Sequence, residues 1–124
     1  FSIFVKNNIM ANVDTLYKNQ FGQLGCIFSD TTGEIKPPTN KVFVAIQIID
    51  NAKFTALVAD TSNASLGYAG TPASIHDAST QSVTLGTGGD AMDSSNQIPK
   101  GMTIFGRWTA LTLSEGAVIA YIGN

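Results

Sequence analysis

Apolar residues alternate along two parts of the chain, and this period of two residues predicts β-strands. Residues 42–49 are apolar at nearly every position, as expected of a central strand that is buried on both faces. Residues 54–59 resume the alternation after residues 50–52, whose Asp-Asn-Ala sequence is typical of a turn. We therefore predict a hairpin that reverses direction at residues 50–52.

A second stretch of alternation begins after Ile-Pro-Lys-Gly at residues 98–101, which predicts a turn. Along residues 102–113, Ile104 and Trp108 belong to one face of the strand, whereas Phe105 belongs to the other. The sequence therefore predicts a strand that begins directly after the turn.

This second strand is interrupted once and is followed by a further turn. Gly106 lies inside it, where a bulge or a close approach of another backbone is expected. Ser-Glu-Gly at residues 114–116 predicts a hairpin turn, and residues 118–122 then run back as a last strand. A strand with this many apolar residues must be covered by a neighbouring strand or by another subunit.

These elements predict an all-β fold, a small antiparallel β-sandwich or barrel of about five or six strands. Residues 60–100 are dominated by Ser, Thr, Asn, Asp, Gly and Ala, so we expect a loop-rich excursion there. The β domain is expected to comprise residues 39–124 with this excursion inside it.

The N-terminal part has a different pattern. Apolar residues in 12–25 are spaced as on one helical face, which predicts a short helix. The alternative is an extended arm whose aromatic side chains anchor on a neighbouring subunit, because short isolated helices are marginal. Pro37-Pro38 cannot lie inside a sheet ladder and marks the entry to the main domain. Residues 1–38 are accordingly expected to be an arm or short helix and a linker.

The composition limits the classes of function. Only 13% of residues are charged while 44% are hydrophobic, so part of the apolar surface is expected to be buried against another chain. The net charge of −2 and the scattered basic residues argue against binding to nucleic acid. No stretch approaches the length of a membrane span, and we expect no membrane association.

Candidate catalytic and metal-binding groups are few. His76 is the single histidine and is followed by Asp77, but no Gly-x-Ser-x-Gly motif accompanies them, so a surface loop is the better interpretation. Asp90 and Asp93 could together offer oxygen ligands to calcium, yet their loop lacks the order of an EF-hand, and a polar turn is favoured. Because Cys26 is alone, it cannot contribute to a thiolate metal cluster. We expect no enzyme activity, no cofactor and no metal.

The aromatic residues of the last strands admit two interpretations. Arg107 and Trp108 are expected to serve packing or an interface, because the strand around them is apolar. The rival is a carbohydrate-binding or receptor-binding module of a head or tail fibre, in which Trp108, Tyr68 or Tyr121 would stack on sugar rings.

The stretch Ile98 to Thr109, with its GRWT strand, and the closing residues 118–123 resemble small virion proteins of marine tailed phages, notably those that infect cyanobacteria. The resemblance covers about the last quarter of the chain well, and residues 41–60 more loosely. It carries no catalytic motif.

The resemblance implies a capsid decoration subunit in the virion, made in the host cytoplasm. Its partners would be the major capsid protein or other virion subunits, and it would form a homo-oligomer, with a trimer favoured. The residues expected at such an interface are Phe1, Ile3, Tyr17, Phe21, Phe28, Arg107, Trp108 and Tyr121.

Overall fold

The computed structural model describes residues 22–62, 67–71 and 88–124, and these residues form an all-β structure. The strands are β1 (Cys26–Ser29), β2 (Val42–Ala59) and β3 (Thr103–Gly123). They lie in one antiparallel sheet. The predicted all-β fold is confirmed, whereas most of the helix or arm predicted at the N-terminus lies outside the described residues.

β2 and β3 pair along nearly their whole lengths, from Val42 opposite Gly123 to Ala59 opposite Trp108. β1 pairs with the other edge of β3, where Cys26 lies opposite Tyr121. The first residues of β3 then pair with the free edge of β2, with Thr103 opposite Gln47. The sheet is therefore curled, and residues 42–48 have a strand on both edges, as predicted for a central strand.

The two hairpin turns predicted from the sequence are wrong. β2 runs without reversal through residues 50–52, and β3 runs without reversal through residues 114–116. The two segments lie side by side in the sheet, with Asp50 opposite Ala117 and Lys53 opposite Glu115. The polar, turn-forming sequences therefore mark a bend that both strands make together.

The positive φ of Gly116, +93°, allows β3 to follow this bend, because L-residues with side chains rarely adopt that conformation. A salt bridge of 3.1 Å between Lys53 Nζ and Glu115 Oε1 spans the two strands beside it. On the outer side of β2, the backbone groups of Ala52 and Ile98 exchange hydrogen bonds of 2.9 and 2.8 Å. The bend is thus held by backbone contacts on both edges of β2.

The predicted turn at residues 98–101 is confirmed, with Gly101 at a φ of +90°. The chain then runs along β2, since Ile48 donates its N–H to the carbonyl of Met102 and accepts from the N–H of Gly101. This contact leads directly into the start of β3.

Pro37 and Pro38 connect two parts of the same sheet. β1 lies before them and pairs with β3, and Ile35 forms an isolated bridge with Leu111. The residues from 26 onward are therefore in the β domain, which extends to the N-terminal side of the boundary expected at residue 38.

The core lies on the concave side of the curled sheet. It is closed at one edge by residues 69–71, because Thr71 donates its N–H to Leu57 and accepts the N–H of Leu57 on its hydroxyl oxygen. The largest fully buried side chains are Trp108, Phe43, Phe54, Ile46, Ile48, Leu57, Leu111, Leu113 and Val118.

Candidate interaction surface

Side chains from four segments of the curled sheet form a surface on the side away from the core. In order across the sheet, these segments are β1, the end of β3, the start of β2 and the start of β3. Residues in register across antiparallel strands share a face. We call this surface the outer face, and its residues are Cys26, Tyr121, Ala45 and Phe105 in one row and Phe28, Ile119, Gln47 and Thr103 in the next.

Between these two rows lies a third row, whose side chains point to the opposite side of the sheet. Ala120 and Ile46 in that row are fully buried, and Ile27 and Ile104 at its ends pack against the core. This alternation establishes that the outer face is the side of the sheet opposite the core.

The outer face carries no charged residue, although its residues on β1 and at the start of β3 are exposed and those on its two central segments are half-buried. Phe105 is 78% exposed and Phe28 is 58% exposed, and Ile49, two residues beyond Gln47 on β2, is 43% exposed. The hydroxyl of Tyr121 donates a 3.0 Å hydrogen bond to the side-chain oxygen of Gln47, so these two polar groups satisfy one another. The surface offered to a partner is therefore largely apolar.

Two of the residues expected at an interface lie on this surface, namely Phe28 and Tyr121. A β-carbon on Gly22 would lie 3.1 Å from Cδ1 of Tyr121, so the described chain begins beside the outer face. Four others lie outside the described residues: Phe1, Ile3, Tyr17 and Phe21.

Trp108 belongs to the core and not to a surface. It is 1% exposed, and its indole N–H donates a 2.7 Å hydrogen bond to the carbonyl of Ala69. A β-carbon on Gly106 would lie 2.9 Å from the Trp108 ring, so a side chain approaches this glycine and not the backbone that was one of the two expectations. The other expectation, a bulge, agrees with the register, in which two residues of β2 from Phe43 to Ala45 span three of β3 from Phe105 to Trp108. Burial of the ring removes Trp108 from the surface of the isolated chain, where a protein partner or a sugar would have to bind.

Arg107 joins the ends of the long strands. Its Nε lies 3.1 Å from Oδ2 of Asp60 at the end of β2, and its Nη1 donates a 2.7 Å hydrogen bond to the backbone oxygen of Asn124. Lys41, just before β2, donates to the side-chain oxygen of Asn124. These contacts hold together the residues that flank β2 and β3, so Arg107 has a structural role.

The neighbours of Asp60 change the pKa of its carboxyl. Partial burial acts to raise the pKa of its carboxyl, but hydrogen bonds from the backbone and hydroxyl of Ser62 and from Arg107, together with the Arg107 charge, outweigh it. The pKa of Asp60 therefore lies below its usual value, and the carboxylate is the favoured form.

The candidate calcium ligands are engaged within their own loop. Asp93 Oδ1 accepts hydrogen bonds from the N–H and hydroxyl of Ser95, which lower the pKa of its carboxyl, and Asp90 Oδ1 accepts from the N–H of Ala91. In the described ranges, no cluster of three or more metal-ligating side chains is found. His76 and Asp77 lie outside those ranges.

Phe105 is the most exposed large apolar side chain among the six outer-face residues that the sequence analysis did not expect at an interface. Its signal was nonetheless present, because Phe105 shares a face of its strand with Thr103 and Arg107 and not with the apolar Ile104 and Trp108. A large aromatic residue on the polar face of an amphipathic strand indicates an exposed contact.

Within the part of the chain that the structure covers, no helix has the length and apolar character needed to cross a membrane. Comparisons with protein-family models, with curated proteins and with solved structures each found no match.

Proposed function

We propose that this protein is a non-enzymatic structural subunit of a tailed-phage particle that decorates the capsid. In this role it binds the major capsid protein or another virion subunit, together with further copies of itself. The observation that carries the proposal is the charge-free outer face with its exposed Phe105 and Phe28. The resemblance of the C-terminal stretch to small virion proteins supplies the kind of particle.

Exposed aromatic surface gains free energy when a partner removes it from water. Complete burial of a Phe side chain contributes about 2 kcal/mol, and Phe105 and Phe28 are both more than half exposed. The centres of protein interfaces are depleted of charge and enriched in aromatic residues, as this face is. The outer face is therefore suited to burial against a protein surface.

The N-terminal residues 1–21 are proposed to add contacts to the neighbouring shell protein. They supply further apolar side chains, and the described chain begins at Gly22 beside Tyr121 of the outer face. Deletion of residues 1–21 tests this contribution without removing β1, which begins at Cys26. We expect lower occupancy on purified particles, and unchanged occupancy would limit attachment to the outer face.

The experiment that tests the function measures how many copies of the chain are present on purified particles. Quantitative mass spectrometry should count hundreds of copies, whereas a fibre tip that binds carbohydrate would contribute tens at most. The double variant Phe28→Asp/Phe105→Asp should reduce occupancy at least tenfold, because a charge on the buried surface loses its hydration. The single variant Phe105→Asp should also lower occupancy, and its matched control is Thr55→Asp, which adds the same single charge at an exposed position of β2 away from the outer face.

Two results would contradict the proposal. The chain could be absent from purified particles, or the double variant could bind as well as the control. A copy number in the tens with glycan binding would favour the fibre module instead.

A further inference from the structure

The first residues of β3 form an open sheet edge. Thr103 and Phe105 pair with β2 on one side, and among the described residues no strand pairs with them on the other. The unpaired part of this edge is short. The carbonyl of Arg107 accepts the N–H of Asp60, and the Tyr68 ring lies against Gly106. The free stretch is therefore residues 103–105.

The hydrogen-bonding groups of this edge can be assigned from the neighbouring contacts. Ile48 bonds to the carbonyl of Met102, and Ile104 lies opposite Ile46 in the same ladder. Because backbone groups of successive residues alternate in direction, the N–H and C=O groups of Thr103 and Phe105 point away from β2. The edge thus presents two donors and two acceptors.

We propose that a second copy of this chain pairs with this edge in antiparallel orientation, about a two-fold axis at Ile104. This arrangement places Thr103 of each copy opposite Phe105 of the other. Four backbone hydrogen bonds form across the axis, and the carbonyl of Arg107 stays bound to Asp60. The inference rests on the proposed function, because it specifies how the copies associate.

Several properties make the edge complementary to itself. Residues 101–106 carry no charge, so two copies in antiparallel register do not repel one another there. Beyond the paired residues, Lys100 of one copy approaches Arg107 of the other, whose charge is already paired with Asp60. Each Phe105, now 78% exposed, would pack beside Thr103 of the other copy on a continuous outer face.

The size of the outer face also favours a second copy. With about 4.8 Å between strands and about 3.3 Å per residue, the four segments of three residues that define the outer face cover roughly 200 Å². A standard interface buries about 800 Å² on each partner. Two copies joined at this edge present roughly 400 Å², so pairing doubles the area that one copy offers and brings it to about half of that size. The open edge therefore favours a two-fold pair over the trimer that the resemblance implies.

The first test is the mass of the purified full chain by analytical ultracentrifugation across a range of concentrations. We expect a monomer–dimer equilibrium that Thr103→Pro shifts to monomer by at least tenfold in Kd. Thr103 is the first residue of β3 and its N–H points outward, so proline removes the intermolecular donor without removing a bond within the chain. Phe105→Lys, which places a cation beside the axis, should have the same effect, and Thr55→Lys serves as the control.

A second test measures the register. In a Cys26→Ser background, mixed Thr103→Cys and Phe105→Cys chains should form a disulfide between the two variants, because directly opposed Cα atoms lie within disulfide range. Each variant alone should cross-link at least fivefold less, because residues of the same number lie two positions apart along the strands. Equal cross-linking in all three samples would overturn the proposed register.

Self-association of the purified chain and its attachment to particles are measured separately, so either can fail while the other holds. A wild-type chain that stays monomeric at all concentrations, or a Thr103→Pro variant that dimerises normally, overturns the edge pairing. If such a chain still occupies purified particles, the decoration role stands. Circular dichroism of each variant verifies that the β-structure is retained.

Discussion

A β-carbon built on Gly116 would lie 2.3 Å from the carbonyl oxygen of Asn51 on the neighbouring strand. It would also lie 2.7 Å from the Cα of Ala52, so backbone surrounds this position. The shared bend of β2 and β3 therefore leaves no room for a side chain at its tightest point, and this contact explains why a glycine is needed there.

Gly116→Ala should lower the free energy of unfolding by at least about 2 kcal/mol, because alanine meets both the positive φ and the contact with Asn51. Urea denaturation followed by circular dichroism measures the change. Gly88→Ala is the control, since a β-carbon there would have no neighbour within 4 Å. Equal stability of the two variants would show that the bend can relax around a side chain.

Trp108→Phe should destabilise the protein by about 2–3 kcal/mol. The substitution removes the hydrogen bond to Ala69 and leaves a space in the core beside Gly106. Thermal and urea unfolding measure the loss. In the same strand, Phe105→Thr should change stability by no more than about 0.5 kcal/mol, because Phe105 is exposed. A larger effect at Phe105 than at Trp108 would contradict the division between core and outer face.

The depressed pKa of Asp60 predicts a pH dependence of stability. Its ion pair and hydrogen bonds stabilise the folded state fully above the ordinary aspartate pKa of about 4, and this contribution is lost as the pH falls through the lower pKa of the folded state. Asp60→Asn should therefore be less stable than wild type at pH 6, and the difference should shrink below about pH 4. Asp30→Asn, at an exposed site, is the control.

The exposed Cys26 reports on coverage of the outer face, because it lies in the same row as Tyr121 and Phe105. In the isolated chain, maleimide should label Cys26 readily. On assembled particles, we expect labelling to slow at least tenfold while a neighbour covers the face. Fast labelling on particles that retain the chain would place the contact elsewhere.

The all-β class and the central strand at residues 42–48 could be predicted from the sequence, because alternation is a local signal. The two hairpin turns could not be predicted correctly. Residues 50–52 and 114–116 have the local chemistry of a turn, but each lies opposite the other, more than 60 positions away in sequence. Only that distant pairing determines whether such a segment reverses the chain or bends it.

The outer face was predictable only in part for the same reason. Phe28 and Tyr121 were identified as aromatic residues in apolar surroundings, but their neighbours across the sheet follow from the register of β1 and β3. Trp108 was assigned to packing or an interface, and its burial depends on contacts with Ala69 and Gly106 that local periodicity does not encode.

The common bend also limits how this chain can change in length. From the pair Asp50–Ala117 to the pair Lys53–Glu115, β2 advances by three residues and β3 by two, so the bend already contains one unmatched residue on β2. A further one-residue insertion in either strand alone would rotate every later side chain to the wrong side unless another bulge absorbed it. Insertions and deletions at these two places should therefore occur in matched pairs during evolution. A designer who wishes to lengthen the sheet would have to alter both sites at once.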